Sequence, residues 1–149
     1  MIIRKAKIDD LDNIVRLLSD DKLGSKRENY KVPLPREYLD AFKRIEEDEN
    51  QFLIVAEEDS TVIGTLQLSF IQYLTYKGGI RAQIEGVRVD NDYRGKGVGR
   101  KMIEYAVCEA KERKTHLIQL TTDKKRPKAL EFYKSIGFID SHEGMKLHL

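Results

Sequence analysis

The spacing of apolar and polar residues changes period several times along the chain, and each change marks an element. Residues 2–8 alternate apolar and basic side chains, which predicts a strand. Leu11, Ile14, Val15 and Leu18 then recur at helical spacing, with Asp9 or Asp10 placed to cap that helix. Residues 20–35 follow neither period and are broken by Gly24, Ser25, Pro33 and Pro35. Tyr38, Leu39, Phe42 and Ile45 predict a second helix over residues 36–48. Strands are expected over 52–57 and 62–73, joined by Glu58-Asp59-Ser60-Thr61. After the Gly78-Gly79 turn a strand rich in β-branched residues ends at Val89. Val98, Met102, Ile103, Ala106 and Ala110 then mark a long helix. A short strand over 116–122 precedes a helix over 127–136 that Gly137 stops, and residues 138–140 and 145–149 are expected as closing strands. With no repeat and no linker, this order predicts one α/β domain over residues 1–149.

Arg94-Gly95-Lys96-Gly97-Val98-Gly99 sits between the strand ending at Val89 and the long helix. Glycines at alternate positions allow a tight turn and leave its amides uncovered. The first turn of the next helix adds unpaired N–H groups and the positive end of its dipole. Together they make a site for an anionic group, most naturally a phosphate or pyrophosphate. Arg94, Lys96, Arg100 and Lys101 add positive charge there. The run is neither a Walker A loop, which requires G-x-x-x-x-G-K-[ST], nor a dinucleotide fingerprint, which requires G-x-G-x-x-G early in a βαβ unit.

Composition narrows the class. The chain of 149 residues is 40% hydrophobic and 35% charged, and its net charge of +2 argues against a nucleic-acid binder. Cys108 is the single cysteine, which excludes an intramolecular disulfide and favours a reducing, cytoplasmic setting. Its mid-helix position predicts a buried structural thiol. No apolar run is long enough to span a bilayer, and residues 1–7 lack the apolar core of a signal peptide. No His, Cys and Asp residues fall at metal-ligand spacing, so no metal is expected.

Read with Ala129-Leu130-Glu131-Phe132-Tyr133-Lys134-Ser135-Ile136-Gly137-Phe138, the glycine turn resembles two motifs of the GNAT superfamily of acyl-CoA-dependent N-acetyltransferases. Arg94, Gly97 and Gly99 fit that family's [RQ]-x-x-G-x-[GA] turn. Ala129, Phe132, Tyr133, Gly137 and Phe138 fit its A-x-x-F-Y-x-x-x-G-F helix end. The resemblance covers nearly the whole chain. It implies a mixed, mostly antiparallel central sheet with helices on both faces, splayed near Val89 where acetyl-CoA would lie across the backbone. It implies coenzyme contacts from Val87, Val89, Arg94, Gly95, Lys96, Gly97, Val98, Gly99, Arg100 and Phe132. Where many members carry an asparagine, this chain has Arg126, which is able to grip a phosphate or an acceptor carboxylate bidentately.

The implied reaction is direct acetyl transfer to an amine of a small molecule or peptide, with self-association into a homodimer left open. An alkyl ammonium is only about one part in a thousand deprotonated at pH 7, so a base matters, as does an acid for the departing sulfur. The resemblance puts Tyr133 in the acid's position, although Tyr133 also lies on an apolar helix face with Phe132 and Ile136. Glu85 is the expected base, since its spacing from Val87 and Val89 puts all three on one strand face unless a bulge intervenes. An ion pair with Arg81, Arg88 or a nearby lysine would explain Glu85 equally. His116 and His142 read as surface residues. Residues 20–40 and 73–77 are expected to wall the acceptor site, where Asp20, Asp21 and Glu28 favour a cation while Arg27, Arg36 and Arg126 favour a carboxylate. A non-catalytic acyl-CoA sensor or partner-binding module would carry the same glycine turn.

Overall fold

The computed structural model describes all 149 residues. Five strands form one sheet in the order β1-β2-β3-β4-β5. They are β1 (Ile2–Lys5), β2 (Gln51–Glu58), β3 (Thr61–Gln72), β4 (Ile80–Val89) and β5 (Leu117–Leu120). The pairs β1–β2, β2–β3 and β3–β4 are antiparallel. β5 runs parallel to β4: His116 N–H donates to Ile80 O at 3.0 Å, and three residues further along both strands the Gln119 side chain donates to that of Gln83 at 2.8 Å. The sheet is therefore mixed and mostly antiparallel. Helices α1 (Leu11–Ser19) and α2 (Arg36–Glu47) join β1 to β2, and the single turn α3 (Thr75–Gly78) joins β3 to β4. α4 (Val98–Glu112) follows β4, and α5 (Pro127–Ile136) follows β5.

Packing divides the chain into two compact units, Met1–Gln119 and Leu120–Leu149. In the first unit, strand alternation feeds two cores. Val55 and Val62 pack with Ile14 and Leu17 of α1, and Phe42 of α2 packs with Leu11 and Val15. The neighbouring positions face α4. Gly64, paired with Ala56, lies so close to that helix that a Cβ on it would fall 2.7 Å from Met102 Sδ. In the second unit, α5 opens with Pro127 at its first turn and ends at Gly137, whose φ of +111° lets Gly137 N–H reach Lys134 O and Phe138 N–H reach Tyr133 O. Lys134 Nζ lies 2.9 Å from Asp140 Oδ2.

Three expectations are corrected. β1 stops at Lys5 because Asp10 does not cap α1: its Oδ2 accepts from Lys7 N–H at 2.7 Å and turns the chain into a 3₁₀ turn over Ile8–Asp10. Residues 138–140 and 145–149 join no ladder, since the sheet ends at β5. Cys108 is exposed on α4, because Ala106 and Ala110 take the buried side of the helix.

The chain entry is held by charge. Arg4 reaches Asp10 through both Nη atoms, at 2.7 and 3.0 Å, and its Nε donates to Glu57 at 2.8 Å. The Arg4 guanidinium, aided by the Lys7 N–H, holds the buried Asp10 carboxyl below its usual range despite desolvation. Such a carboxylate stabilises the fold fully above its unfolded pKa of about 3.9, and the contribution is lost as pH falls through the lower folded value. Asp10→Asn should cost about 2 kcal/mol at pH 7, measured by denaturant unfolding. The gap to the parent should close as pH falls below about 4. A gap that stays constant from pH 7 to pH 3 would assign the loss to packing instead.

β4 carries the feature that shapes the rest of the first unit. Glu85 pairs with Gln67 and Arg88 with Thr65, so Gly86 and Val87 together stand opposite Leu66. This is a β-bulge, and Gly86 enters it with φ of +62°. A Cβ there would meet only Leu18 Cδ2 at 3.5 Å, so the position is closed to other residues by backbone strain rather than by space. Gly86→Ala should lower stability by about 1–2 kcal/mol. Gly86→Asn, which tolerates the left-handed region better, should lose less. Alanine melting at or above asparagine would show that the bulge relaxes.

Candidate functional site

Asp90 follows β4 and ties off the strand. Its Oδ1 accepts from Asp92 N–H at 3.1 Å, and its Oδ2 from Arg16 Nη2 at 3.0 Å. The Asp92 N–H, with help from Arg16, holds the Asp90 carboxyl below its usual range. Asn91 Nδ2 donates to Asp20 Oδ2 at 2.7 Å, so the end of α1 is fastened to the turn at two points. Arg94 Nε then donates to Val89 O at 3.1 Å and folds the glycine run back over the strand end.

Gly95 and Gly97 adopt φ of +77° and +83°, and a Cβ on either would meet nothing within 4 Å. Successive amides in such a turn point into a shared concavity. The first main-chain bond of α4 runs from Lys101 N–H to Gly97 O, which leaves the N–H groups of Val98, Gly99 and Arg100 ahead of the ladder. Gly97 supplies no side-chain cap. The turn is thus an open, uncapped helix N-terminus with Lys96 and Arg100 on it. Its donors and its free space suit a pyrophosphate.

Beside the turn, β5 is too short to cover β4. The His116–Ile80 contact sets four-residue β5 against the first half of ten-residue β4, so residues 85–89 extend past it. Along this stretch no strand follows β4 on the side away from β3, and the carbonyls there are met by side chains: Val87 O accepts from Arg88 Nη1 at 2.8 Å and Val89 O from Arg94 Nε at 3.1 Å. An extended amide-bearing chain would find hydrogen-bonding groups there.

The bulge decides where Glu85 points, and it overturns the reading that Glu85, Val87 and Val89 share a face. Val89 pairs with Gly64 and lies on the α4 side. Glu85 pairs with Gln67, whose partner Leu53 packs against α1 and α2. Glu85 is exposed on that side and accepts from Gln83 Nε2 at 2.9 Å. Gln119 donates to Gln83, while Gln67 and Ser69 both donate to Gln51 at 2.9 and 2.6 Å. A row of neutral amides therefore flanks one carboxylate. Arg88, on the same face, is only 9% exposed and its Nε lies 3.4 Å from Asp21 Oδ2. Sequence reasoning named Arg88 as a partner for Glu85 and Asp21 as an acceptor-site charge but missed that the two pair, and it missed the glutamine row. The signals were Gly86 inside a strand and polar residues at alternating strand positions.

The second unit carries Arg126, Phe132 and Tyr133. Arg126 is the residue before Pro127 at the start of α5. Tyr133 is half-buried, its ring 5.2 Å from that of Phe132 and 5.9 Å edge-on from that of Phe138. Elsewhere, His116 stacks on Tyr76 at 4.6 Å, and His142 accompanies Ser141 at 2.8 Å on the surface. No group of three or more His, Cys, Asp or Glu is arranged to hold a metal ion, and no helix is long and apolar enough to cross a membrane.

Residues 12–138 match the acetyltransferase (GNAT) family. The chain is 52% identical to a solved protein of Bacillus halodurans described as a transcriptional regulator, over 99% of each chain and with a TM-score of 0.97. It is 28% identical to an uncharacterized N-acetyltransferase of Archaeoglobus fulgidus, over 91% of this chain and 90% of the other. A predicted acetyltransferase of Clostridium acetobutylicum, crystallised with acetyl-CoA, is 28% identical over 99% and 95% of the two chains, with a TM-score of 0.76. In family, in fold and in the strand–turn–helix that carries its glycine run, the chain belongs to the acetyltransferase (GNAT) family.

Proposed function

We propose that residues 1–149 work as one N-acetyltransferase domain that moves an acetyl group from acetyl-CoA directly to an amine of a small molecule or peptide. The observation that carries this reading is the open glycine turn at the head of α4, beside the half of β4 that extends past β5. The amides of residues 98–100, with Arg94, Lys96 and Arg100, would hold the pyrophosphate. The edge at Val87 and Val89 would pair with the pantetheine arm. Phe132 is assigned to the coenzyme by resemblance to the family, and Arg126, where many members carry an asparagine, is assigned as a contact to the coenzyme or the acceptor. When bound, acetyl-CoA supplies a thioester whose acetyl carbon takes the new C–N bond as its C–S bond breaks.

Glu85 accepts the ammonium proton, directly or through a water. Its exposed place among neutral amides makes it reachable from the α1 side. Tyr133 donates its hydroxyl proton to the leaving sulfur and recovers it from solvent. A tyrosine has a pKa about 1.5 units above a thiol's, so it stays protonated until thiolate develops. Cys108 lies in the middle of α4, outside the glycine turn, and carries no acetyl group in this scheme.

Three outcomes check this function. Acetyl-CoA should raise the melting temperature of the parent by mass action. Gly97→Asn keeps a residue tolerant of positive φ and should retain part of that shift, whereas Gly97→Asp adds negative charge and should abolish it. Equal shifts in both variants would remove the pyrophosphate from this turn. Glu85→Gln should lower kcat/KM about 10²-fold or more and move the acidic limb of its pH profile. Tyr133→Phe should lower kcat with little change in KM for acetyl-CoA. Full activity in either variant would strip that residue of its role.

A second reading is favoured by the relative described as a transcriptional regulator: an acyl-CoA sensor without turnover. It predicts the same thermal shift with no thiol release from acetyl-CoA across a panel of amines and peptides. A sensor acting on nucleic acid would in addition show a steep salt dependence of oligonucleotide binding.

A further inference from the structure

One cation on the α1 side of the sheet has no counter-ion. On the N-terminal side of the bulge, Gln67 pairs with Glu85, Ser69 with Gln83 and Ile71 with Arg81, so Glu85, Gln83 and Arg81 share one face of β4. The Arg81 guanidinium lies over the Tyr73 ring at 4.6 Å and the Tyr76 ring at 5.3 Å. Its Nε is closed off from solvent and has no hydrogen-bond partner. Glu85, the acid on the same face, bonds Gln83 instead. The hairpin that carries the two rings is strained: Tyr76 and Lys77 take left-handed backbone, with φ of +55° and +57°. His116 braces Tyr76 from the other side, stacking on it at 4.6 Å. That ring lies so near Gly79 that a Cβ there would fall 2.5 Å from His116 Nδ1.

A guanidinium held against rings keeps its N–H edge for an oxyanion, which it grips bidentately. No carboxylate of the first unit takes that edge. Arg81 and Glu85 stand four residues apart, about 13 Å along an extended strand. Between them Gln83 donates to Glu85 and accepts from Gln119, in a row of amides suited to the peptide groups of an extended ligand. We propose that Arg81 is an anion subsite on the acceptor face of β4. The acceptor is then a short extended peptide, its N-terminal amine at Glu85 and a carboxylate at Arg81. The distance between the two charges corresponds to about four extended residues. The amine end of this assignment rests on the acetyl-transfer reading, whereas the anion end rests on Arg81 and its aromatic support.

Binding and turnover, measured separately, test it. With coenzyme A present, titration calorimetry should find tetraglycine bound roughly tenfold or more tightly than tetraglycine amide. Arg81→Met should bring that ratio close to one. Arg81→Lys, which keeps the charge and loses the fork, should fall between the two. Lys77→Met, which removes a charge from the same hairpin, should keep the parent's ratio. Diglycine is too short to span the face and should bind as acid and as amide alike. The parent's acid-to-amide ratio needs no variant, so it decides the point even where Arg81→Met folds poorly. An acid preference that Arg81→Met removes, with no thiol release from acetyl-CoA for any amine, would end the acetyl-transfer reading and support the subsite. Thiol release from amines with no preference for the acid would do the reverse. A preference that survives Arg81→Met, or that diglycine shows as strongly, would put the anion elsewhere and overturn the proposal. Failure of tetraglycine to bind would overturn it as well.

Discussion

One extra residue in β4 sets the geometry of the first unit. Without the bulge at Gly86, alternation would carry Glu85, Val87 and Val89 down one face, and Arg88 would turn toward α4. With it, Glu85 and Arg88 share the α1 side while Val89 stays packed opposite Gly64. A carboxylate and a peptide edge then belong to adjacent stretches of one strand and look in different directions. For acyl transfer that separation is useful. In the proposed reaction the edge would hold an extended coenzyme arm, while the carboxylate would meet the acceptor from the other side.

The bulge also explains how the irregular stretch after α1 finds its place. Arg88 is brought under that stretch, where Asp21 faces its Nε and at the same time accepts from Leu23 and Gly24 N–H at 3.0 and 2.6 Å. Gly24 itself sits against Leu18 O so tightly that no Cβ would fit. Arg16–Asp90 and Asn91–Asp20 repeat the fastening one turn away. The loop after α1 and the glycine turn are thus tied to the same strand end. A shift in one is felt by the other through short polar contacts rather than through the hydrophobic core.

What the sequence revealed followed from local rules, and what it hid followed from pairing. The helices, the turn at Gly95 and Gly97 and the stop at Gly137 were legible because propensity, spacing and positive φ act over a few residues. The face of Glu85 was not, because a bulge is a property of two strands in register and only Gly86 hinted at it. Asp10 read as a helix cap for the same reason: its partner Arg4 is close in sequence, but the geometry also needs Glu57 from β2. The closing strands were read from alternation alone. Alternation shows which face a strand would bury, and says nothing of which edge receives it.

The charges that pulled the acceptor reading in two directions lose their force once their partners are known. Asp20 is bonded by Asn91, Asp21 by Arg88 and the loop amides, and Glu28 by Arg27 and Tyr38. Arg36 pairs with Asp40 on the surface of α2. These side chains build walls and are spent in doing so. On the sheet face beside them, the row from Gln51 to Gln119 is neutral, with donors and acceptors in alternation and Glu85 its one carboxylate. In the proposed acetyl transfer, a protonated acceptor amine would meet the Glu85 carboxylate, and around it amides able to bond hydroxyl, amide or water. In that reading the charge would favour an amine, and the amides would leave the rest of the acceptor to be read by hydrogen bonding and shape.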